Sequence, residues 1–308
     1  MTITQLEYVL ALFDHKSFSK AANFCCVSQP SLSMQVQKLE EELNLILFDR
    51  KIKPITPTTE GYKIIQSARK IIQEKKSIQD LAKGWHSDVI GNVSMGIIPT
   101  IAPYLVPKFL SNFNLSYPNI TLDIYETTTH HIYKDIESGK LDIGILVPED
   151  AVNIQKVPLF FEELFLYSNV IADNGEIEQN IIPEKLWILE EGHCLSNQIA
   201  SICNLRTHSK KMNQINYNTG SLETMLRLAE NGHGQTIIPH MLLDFLDSSK
   251  KRKIFKIPFN TPVREVALIY AENYNRKGVI EALSEEIISV IPAEWKNSVN
   301  KSIIPIIR

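Results

Sequence analysis

The stretch that decides the fold of the amino-terminal part is S-Q-P-S-L-S-M-Q-V-Q-K-L-E-E-E-L, residues Ser28–Leu43. Its apolar residues recur at helical spacing and comprise Leu32, Val36, Leu39 and Leu43. Ser28 can cap this helix, and Pro30 is tolerated in the first turn because its missing N–H would have no partner there. The stretch therefore predicts a helix with one buried face and one polar face.

The polar face of this helix carries small hydroxyl and amide side chains, which suit a DNA major groove because glutamine can pair with base edges. We expect this segment to contact DNA through Ser28, Gln29, Pro30, Ser31, Ser33, Gln35 and Lys38. A short helix precedes it, and Cys26-Val27-Ser28 forms the break between the two. Two helices at a tight turn predict a helix-turn-helix, and the alternative is a solvated helix of an ordinary helical bundle.

The next segment is predicted to form a wing of two short strands, Leu47–Lys51 and Pro54–Thr56. Its candidate phosphate contacts are Arg50, Lys51, Lys53 and Thr56, since basic and hydroxyl side chains bind the DNA backbone.

A long helix is predicted at Thr58–Ser87. Isoleucine and tryptophan recur in it at heptad spacing, at Ile64, Ile71, Ile78 and Trp85, with Ala68 and Ala82 at the complementary positions. Such a seam predicts pairing with a second copy of the same helix. A self-paired helix beside a DNA-reading helix implies a dimer and a two-part binding site.

Length and composition bound the class of protein. The 308 residues predict two or three domains, and 44% apolar against 22% charged residues is ordinary for globular cores. Residues 1–90 carry 12 Lys+Arg against 10 Asp+Glu, a net charge of +2, whereas the remainder carries −5. This asymmetry favours an amino-terminal nucleic-acid module. We see no signal peptide and no bilayer-spanning run, and four cysteines form no disulfide framework, so we expect a cytoplasmic protein.

The order of these elements, together with A-A-N-F-C-C-V-S-Q-P-S-L-S-M-Q-V-Q-K-L-E-E-E-L at residues 21–43, resembles the LysR-type transcriptional regulators. The resemblance continues through the wing, in F-D-R at residues 48–50 and T-P-T-T-E-G at residues 56–61, and covers nearly the whole chain. It implies a regulator of transcription, not an enzyme, that binds double-stranded DNA at an operator. It also implies a homodimer through the linker helix, assembly into a homotetramer, and RNA polymerase as a candidate partner.

From Gly91 the apolar period changes to two, which predicts a strand. The elements predicted next are a helix at Pro99–Ser116, a strand at Ile120–Tyr125, a helix at Thr129–Ser138 and a strand at Leu141–Leu146. A second series comprises strands at Leu164–Ser168, Trp187–Leu189, Gln235–Ile238 and Val266–Tyr270 and helices at Leu195–Ile202, Ser221–Asn231 and Val279–Val290. The strict alternation of strands and helices in the first series predicts a parallel sheet.

We therefore expect an α/β chain with three parts. An all-α winged helix-turn-helix occupies residues 1–58, a linker and dimerisation helix residues 59–89, and a regulatory domain residues 90–308. The regulatory domain resembles the periplasmic-binding-protein fold, with one lobe at residues 90–162 and 267–308 and the other at residues 163–266. Ligands of such folds bind between the lobes, at the carboxyl ends of strands.

A candidate redox site lies in W-I-L-E-E-G-H-C-L-S-N-Q-I-A-S-I-C, residues Trp187–Cys203. Cys194 would lie at a strand-to-helix turn, near a helix amino terminus, where free N–H groups and the macrodipole favour a thiolate. Nine helical residues at ~1.5 Å each separate Cys194 from Cys203 by about 13 Å, whereas a disulfide needs Cα atoms within ~7 Å. Joining them would require local unfolding, as in a redox switch. The alternative is an ordinary buried cysteine, and the C-x8-C spacing does not match a zinc site.

Motifs along the regulatory domain resemble the peroxide-sensing members of the family. They are G-I-I-P-T-I-A-P-Y-L-V-P at residues 96–107, Thr129-His130, S-G-K-L-D at residues 138–142, L-E-E-G-H-C-L at residues 189–195 and S-L-E-T at residues 221–224. This resemblance implies that Cys194 attacks hydrogen peroxide and that Cys203 resolves the sulfenic acid as a disulfide. It implies peroxide-positioning or thiolate-tuning roles for Thr100, Thr129, His130, His193 and Arg264, control of antioxidant genes, and no metal or cofactor.

Two departures from the family pattern affect the expected reactivity. Ser196-Asn197 stands where the family usually has Arg-Asp, and Asn216 stands near a common histidine. Cys25 and Cys26 are interpreted as structural. Two rival functions remain at this point: a peroxidase that uses Cys194 and Cys203 catalytically, and a LysR-type regulator that binds a small-molecule effector in the cleft between the lobes.

Overall fold

The computed structural model describes residues 1–84, 89–149, 151–172, 174–190, 194–202, 217, 219–257, 262–297 and 302–304. The chain divides into two compact units with a boundary after residue 86. Among the described residues, no helix is both long enough and apolar enough to cross a membrane.

The amino-terminal unit begins with three helices, α1 (Ile3–His15), α2 (Phe18–Phe24) and α3 (Gln29–Leu43). The side chain of Ser28 caps α3 by accepting a hydrogen bond from the N–H of Ser31 at 3.3 Å, as the sequence predicted. Fully buried side chains fill the centre of the unit, among them Leu12, Ala21, Leu32, Val36, Leu39 and Phe48. The helix-turn-helix prediction is confirmed.

The two adjacent cysteines near this turn differ in exposure. Cys25 is partly buried and packs against the core of the unit, which agrees with a structural role. Cys26 is exposed and adopts the left-handed backbone conformation, with φ of 54°. Its structural role is therefore to form the turn, and its side chain is not part of the core.

The wing consists of β1 (Phe48–Asp49) paired antiparallel with β2 (Thr56–Pro57), two strands shorter than predicted. Glu40 of α3 fixes its start, because the carboxylate accepts the backbone N–H of Leu47 at 2.8 Å. Gly61 allows the next helix to pass the wing closely, since a Cβ there would lie 2.0 Å from the carbonyl oxygen of Leu47.

Helix α4 (Thr59–Gly84) covers most of the predicted linker helix, whose predicted end at Ser87 lies outside the described residues. Ala68, expected in the seam between two copies, is instead buried in the core of its own unit, so that part of the heptad prediction is wrong. Ile71 and Ile78 are exposed and line a shallow apolar depression together with Ile3. Trp85 lies outside the described residues, and pairing through this helix stays a prediction.

The second unit alternates strands with helices. Its strands are β3 (Gly91–Ile97), β4 (Ile120–Glu126), β5 (Ile143–Leu146), β6 (Ile154–Ser168), β7 (Leu186–Trp187), β8 (Gln235–Pro239), β9 (Ile254–Lys256), β10 (Pro262–Ala271) and β11 (Ser302–Ile303). Its helices are α5 (Ala102–Ser116), α6 (Thr129–Glu137), α7 (Cys194–Ile202), α8 (Leu222–Glu230), α9 (His240–Leu243), α10 (Ser248–Lys251) and α11 (Lys277–Ser289).

These strands form two half-sheets that share β6. The strand order is β4-β3-β5-β10-β6-β8-β7, with β11 beside β10 and β9 beside β6. Residues 154–163 of β6 pair with β10, and residues 164–168 pair with β8. The strand pairings of β3 with β4 and β5 are parallel. This arrangement confirms the two-lobed, periplasmic-binding-protein-like fold.

The sequence prediction started β6 at Leu164, ten residues too late. A proline such as Pro158 disfavours a strand in the local sequence, because proline cannot donate to the ladder. The structure places Pro158 opposite Ala267, where the register with β10 shifts, and an irregularity of this kind tolerates proline.

The sequence of the apolar tail, Ile303–Ile307, predicts either packing in a second interface between copies or disorder. Ser302 and Ile303 instead pair in parallel with Pro262 and Val263, and Ile304 is buried. This part of the tail therefore belongs to the fold of its own unit, and residues 305–308 lie outside the described residues.

Candidate functional site

The candidate DNA-binding surface is the outer face of α3. All seven predicted residues lie on α3 or at its cap, and none of them is buried. Gln29 accepts a hydrogen bond from the hydroxyl of Ser19 at 2.9 Å. Gln35 instead turns towards α1, where its side-chain oxygen accepts from the amide of Gln5 at 3.4 Å. The surface thus presents hydroxyls and amides, of which Gln35 is the least available.

Met34 was missed by the sequence analysis. Its side chain is 49% exposed on α3, and it shares one face with Pro30 and Gln37 at i, i+4 and i+7 spacing. That periodicity could have identified it. An exposed methionine on a reading helix can contact the methyl group of thymine.

The wing residues have different environments. Arg50 forms an ion pair with Glu40 and lies over the ring of Phe18 at 5.4 Å, so its charge is already compensated within the unit. Lys51 and Lys53 are exposed, and Thr56 is half-buried in β2. The structure therefore favours the lysines over Arg50 as phosphate contacts.

The candidate redox site is built around Cys194, the first residue of α7, as the sequence predicted. The side chain is only 3% exposed. Four groups surround its sulfur closely enough to favour a thiolate: the guanidinium of Arg264, the hydroxyl of Thr129, and the backbone N–H groups of Val147 and Leu195. The end of β5, the start of α6, β10 and α7 thus converge on one thiol.

The net effect on the thiol is opposite to the sequence expectation. Burial raises the pKa of Cys194 above its ordinary value, and the charge of Arg264, the Thr129 hydroxyl and the two N–H groups counter this only in part. The expectation of a stabilised thiolate is therefore wrong for this conformation. Desolvation disfavours the charged form more strongly than a helix start favours it.

Arg264 and Thr100 belong to a buried polar cluster behind this thiol. Both side chains are buried, and Nη1 of Arg264 donates to Oγ1 of Thr100 at 3.0 Å while Nη2 donates to its carbonyl oxygen at 3.1 Å. Nε of Arg264 donates to Glu162 at 2.8 Å. Glu162 was missed because a single acidic residue in a strand carries no local sequence signal of its partner.

A cavity of about 500 Å³ opens beside Cys194. Its lining residues are Thr129, His130, Tyr133, Lys134, Glu137, Glu149, Ala151, Cys194 and Asn197. Thr129 is buried, and its hydroxyl makes no hydrogen bond of ordinary geometry among the described residues, although it lies near enough to favour the Cys194 thiolate. His130 is exposed at the rim. The cavity therefore extends from the exposed His130 to Cys194.

Helix α7 buries more polar groups than its sequence suggested. The hydroxyl of Ser196, one of the two departures from the family pattern, donates to the carbonyl oxygen of Leu189 at 2.8 Å. Gln198 is fully buried, and both polar atoms of its side chain have no partner among the described residues. Asn197 faces the cavity.

Three residues of the sequence interpretation cannot be placed. His193, Cys203 and Asn216 lie outside the described residues. Among the described residues, no cluster of histidine, cysteine, aspartate or glutamate could hold a metal ion.

Comparison with known proteins gives the family. Residues 3–62 match the bacterial regulatory helix-turn-helix protein, lysR family, and residues 86–291 match the LysR substrate binding domain. The chain therefore belongs to the LysR family of bacterial regulators.

Particular relatives lie within the OxyR group. The chain is 32% identical to the hydrogen peroxide-inducible genes activator of Haemophilus influenzae, covering 94% of this chain and 99% of that one. It is 31% identical to the DNA-binding transcriptional dual regulator OxyR of Escherichia coli K12, covering 93% and 95%. A full-length OxyR from Pseudomonas aeruginosa, solved with one cysteine replaced by aspartate, superposes with a TM-score of 0.75 at 27% identity, covering 94% and 98%. The H2O2-bound OxyR of Corynebacterium glutamicum, solved with one cysteine replaced by serine, superposes with a TM-score of 0.57 at 26% identity, covering 94% and 92%.

Proposed function

We propose that this protein is a cytoplasmic, sequence-specific transcription regulator that senses hydrogen peroxide through a reversible Cys194–Cys203 disulfide and controls antioxidant genes. The observation that carries the proposal is the position of Cys194 at the start of α7, beside Arg264 and Thr129 and open to a cavity. Similarity to hydrogen peroxide-inducible genes activators over more than nine-tenths of the chain supports it.

The proposed chemistry is an attack of the Cys194 thiolate on peroxide. The thiolate displaces hydroxide from hydrogen peroxide, which leaves a sulfenic acid on Cys194. The thiol of Cys203 then condenses with this sulfenic acid, forming a disulfide and releasing water. Sulfur is oxidised and peroxide is reduced, so the two steps balance.

The surrounding groups would assist the first step. The hydroxyl of Thr129 can donate a hydrogen bond to the peroxide or to the departing oxygen, because it has no other partner of ordinary geometry among the described residues. The Thr100 hydroxyl accepts from Arg264 and keeps its own proton available for donation. His130 stands at the cavity rim. His193, the residue before Cys194 in the sequence, keeps its proposed role in tuning the thiolate.

Disulfide formation would require α7 to open. From Cys194 to Ile202 the helix rises about 12 Å, at ~1.5 Å for each of eight steps. The Cα of Cys203 lies within ~3.8 Å of that of Ile202, so the two cysteine Cα atoms are at least about 8 Å apart, whereas a disulfide needs ~7 Å or less. Oxidation therefore has to unwind part of α7 and alter the lobe against which it packs.

The proposed output is a change in how DNA is read. The outer face of α3, with the lysines of the wing, would contact an operator on double-stranded DNA. The division into a DNA-binding domain, a linker helix and two regulatory lobes, the homodimer through α4, the homotetramer and the contact with RNA polymerase belong to this proposal. Repacking of one lobe would rotate one DNA-binding domain relative to another within the assembly.

The test is thiol trapping after a near-stoichiometric dose of hydrogen peroxide, followed by peptide mapping. We expect a rapid disulfide between Cys194 and Cys203, absent from Cys194→Ser, together with a shifted operator footprint. Cys26→Ser is the matched control, since this exposed thiol lies in the other unit. Slow and scattered oxidation, or identical footprints for the reduced and oxidised proteins, would contradict the proposal.

The cavity beside Cys194 also supports a second candidate function, that of a regulator that responds to a small-molecule effector between the lobes. That function predicts a response that survives Cys194→Ser. A peroxidase function would instead give multiple turnovers of peroxide per protein with a thiol reductant, and we expect a single turnover followed by a persistent disulfide.

A further inference from the structure

Glu162 is a buried carboxylate to which neither the sequence analysis nor the proposed chemistry gives a role. Its side chain is 0% exposed, in the middle of β6, close to where this strand passes from one half-sheet to the other. Oε1 accepts the backbone N–H of Met241 at 2.7 Å. Oε2 accepts from Nε of Arg264 at 2.8 Å and forms an ion pair with Nη2 at 2.7 Å.

Arg264, also 0% exposed, is therefore held on two sides. The carboxylate of Glu162 accepts a hydrogen bond from Nε and forms an ion pair with Nη2. Thr100 accepts from Nη1 with its hydroxyl oxygen and from Nη2 with its carbonyl oxygen. A guanidinium with its planar fork fixed in this way cannot rotate freely. Its charge is compensated by the carboxylate with which it shares the interior.

Arg264 is also the charged group that acts most strongly on Cys194 in favour of the thiolate. A cation close to a thiol lowers its pKa, and it does so more strongly when no anion neutralises the cation. The state of the Arg264–Glu162 pair therefore bears directly on the sulfur.

We propose that Glu162 is a positioning residue of the thiol sensor. By holding Arg264 in place and neutralising its charge, Glu162 weakens the electrostatic stabilisation that the guanidinium gives to the Cys194 thiolate. The inference rests on the proposed peroxide-sensing function and names a regulator of that same site. Its consequence is that Glu162 limits the sensitivity of the sensor, because the resting thiol reacts more slowly than it would without the carboxylate.

The direction of the effect follows from the charges. Without the carboxylate, Arg264 would be a buried cation deprived of its ion-pair partner beside Cys194. An ionised sulfur would then compensate part of the buried positive charge. Removing Glu162 should therefore make Cys194 more reactive, which is the reverse of what damage to a structural ion pair would do.

The experiment is the pH profile of Cys194 alkylation by iodoacetamide in the full-length reduced protein, quantified by peptide mapping. In Glu162→Gln we expect the midpoint to fall by about one pH unit, at the lower end of shifts caused by a neighbouring charge, so alkylation at neutral pH becomes roughly tenfold faster. Glu162→Asp retains the charge and should keep the midpoint near that of the wild type. A midpoint that is unchanged or raised in Glu162→Gln would overturn the proposal.

Two further variants separate positioning from direct electrostatics. Arg264→Gln removes the cation through which Glu162 is proposed to act. The double variant Glu162→Gln/Arg264→Gln should therefore have the same midpoint as Arg264→Gln. A lower midpoint in the double variant than in Arg264→Gln would mean that Glu162 acts without Arg264, against the proposal. The remaining titratable groups at the cavity are unchanged in these variants: His130, Tyr133, Lys134, Glu137 and Glu149.

The double variant also decides the question if a single variant does not fold, because replacing both members of a buried pair is commonly tolerated. We expect its midpoint within about half a unit of the wild type, since the pair is electrically neutral. If the midpoint of the double variant instead rose by a full pH unit, Glu162 would not be neutralising the effect of Arg264 on the sulfur, and the proposal would be overturned. Alkylation requires no peroxide, so failure of wild-type Cys194 to form a disulfide would overturn the proposed function and leave this test in force.

Discussion

Helices α3 and α7 each carry the residues of one candidate function, but they bury opposite kinds of side chain. The inner face of α3 is formed by Leu32, Val36 and Leu39, all fully buried, and a serine caps the helix start. Helix α7 buries a thiol, a serine and a glutamine beside its apolar residues. A helix with an apolar face and a satisfied start is suited to hold its shape, whereas buried polar groups lower the cost of opening.

The largest expected effect comes from placing proline in each helix. Gln37→Pro in α3 and Ala200→Pro in α7 should each cost about 3 kcal/mol or more of helix stability. We expect the first to abolish operator binding. The second should keep operator binding and produce the oxidised type of footprint without peroxide, because it opens α7 directly. Footprinting of both reduced proteins checks this, and loss of DNA binding in Ala200→Pro would break the comparison.

Truncating the core face of α3 is the next effect in size. Leu39→Ala should lower the free energy of unfolding of the amino-terminal unit by roughly 2–5 kcal/mol, because Leu39 is fully buried. Gln37→Ala, on the exposed face of the same helix, should change it by less than about 0.5 kcal/mol. Denaturant titration monitored in this unit measures both values, and equal losses would show that the inner face of α3 does not carry its stability.

Replacing the buried amide of Gln198 in α7, for which the described residues offer no hydrogen-bond partner, should stabilise the reduced conformation. Gln198→Leu eliminates a fully buried amide without a partner among the described residues. Burying such a group costs about 1–3 kcal/mol of folding free energy, which the substitution should recover. We expect slower disulfide formation at a given peroxide dose and stronger hydrogen-exchange protection of α7. The exposed Gln37→Leu in α3 is the control and should leave both measurements unchanged. Faster oxidation of Gln198→Leu would show that the buried amide does not help α7 to open.

The smallest effect concerns the hydroxyl beside the thiol. Burial raises the pKa of Cys194, so below that pKa the rate of reaction with peroxide should increase with pH, by about tenfold per unit. Thr129→Val removes a group that lowers this pKa and should move the whole profile to higher pH, which slows the reaction several-fold at neutral pH. Rapid-mixing kinetics of the reduced protein across pH test both statements. A profile that moves to lower pH would contradict the assigned role of Thr129.

The sign of the linked stability also follows from the raised pKa. A thiol that ionises less readily in the folded protein than in the unfolded chain stabilises the fold fully below its ordinary pKa of 9.0. That contribution is lost as pH rises from there through the higher pKa of the folded state. Alkaline conditions should therefore loosen the surroundings of Cys194 before they affect α3, whose buried residues do not titrate.

Local patterns in the chain were sufficient to predict α3, the wing, the start of α7 and most strands, because helical and strand periodicities and capping residues act over a few neighbouring positions. The early start of β6 escaped prediction, since Pro158 is acceptable only at a register shift with β10. The strand at Ser302–Ile303 also escaped, because its pairing partner lies forty residues earlier in the chain.

The features of the candidate site likewise divide into those predicted from the sequence and those that only the tertiary structure shows. Local sequence predicted Cys194 near a helix start, and the family resemblance suggested roles for Thr100, Thr129 and Arg264. Only tertiary packing could show that burial outweighs the helix start in setting the pKa of Cys194. Only packing could join Arg264 to Glu162, 102 positions apart in the chain. The physical reason is range: hydrogen bonds along a helix act within one turn, whereas desolvation and buried charge depend on which distant segments the fold brings together.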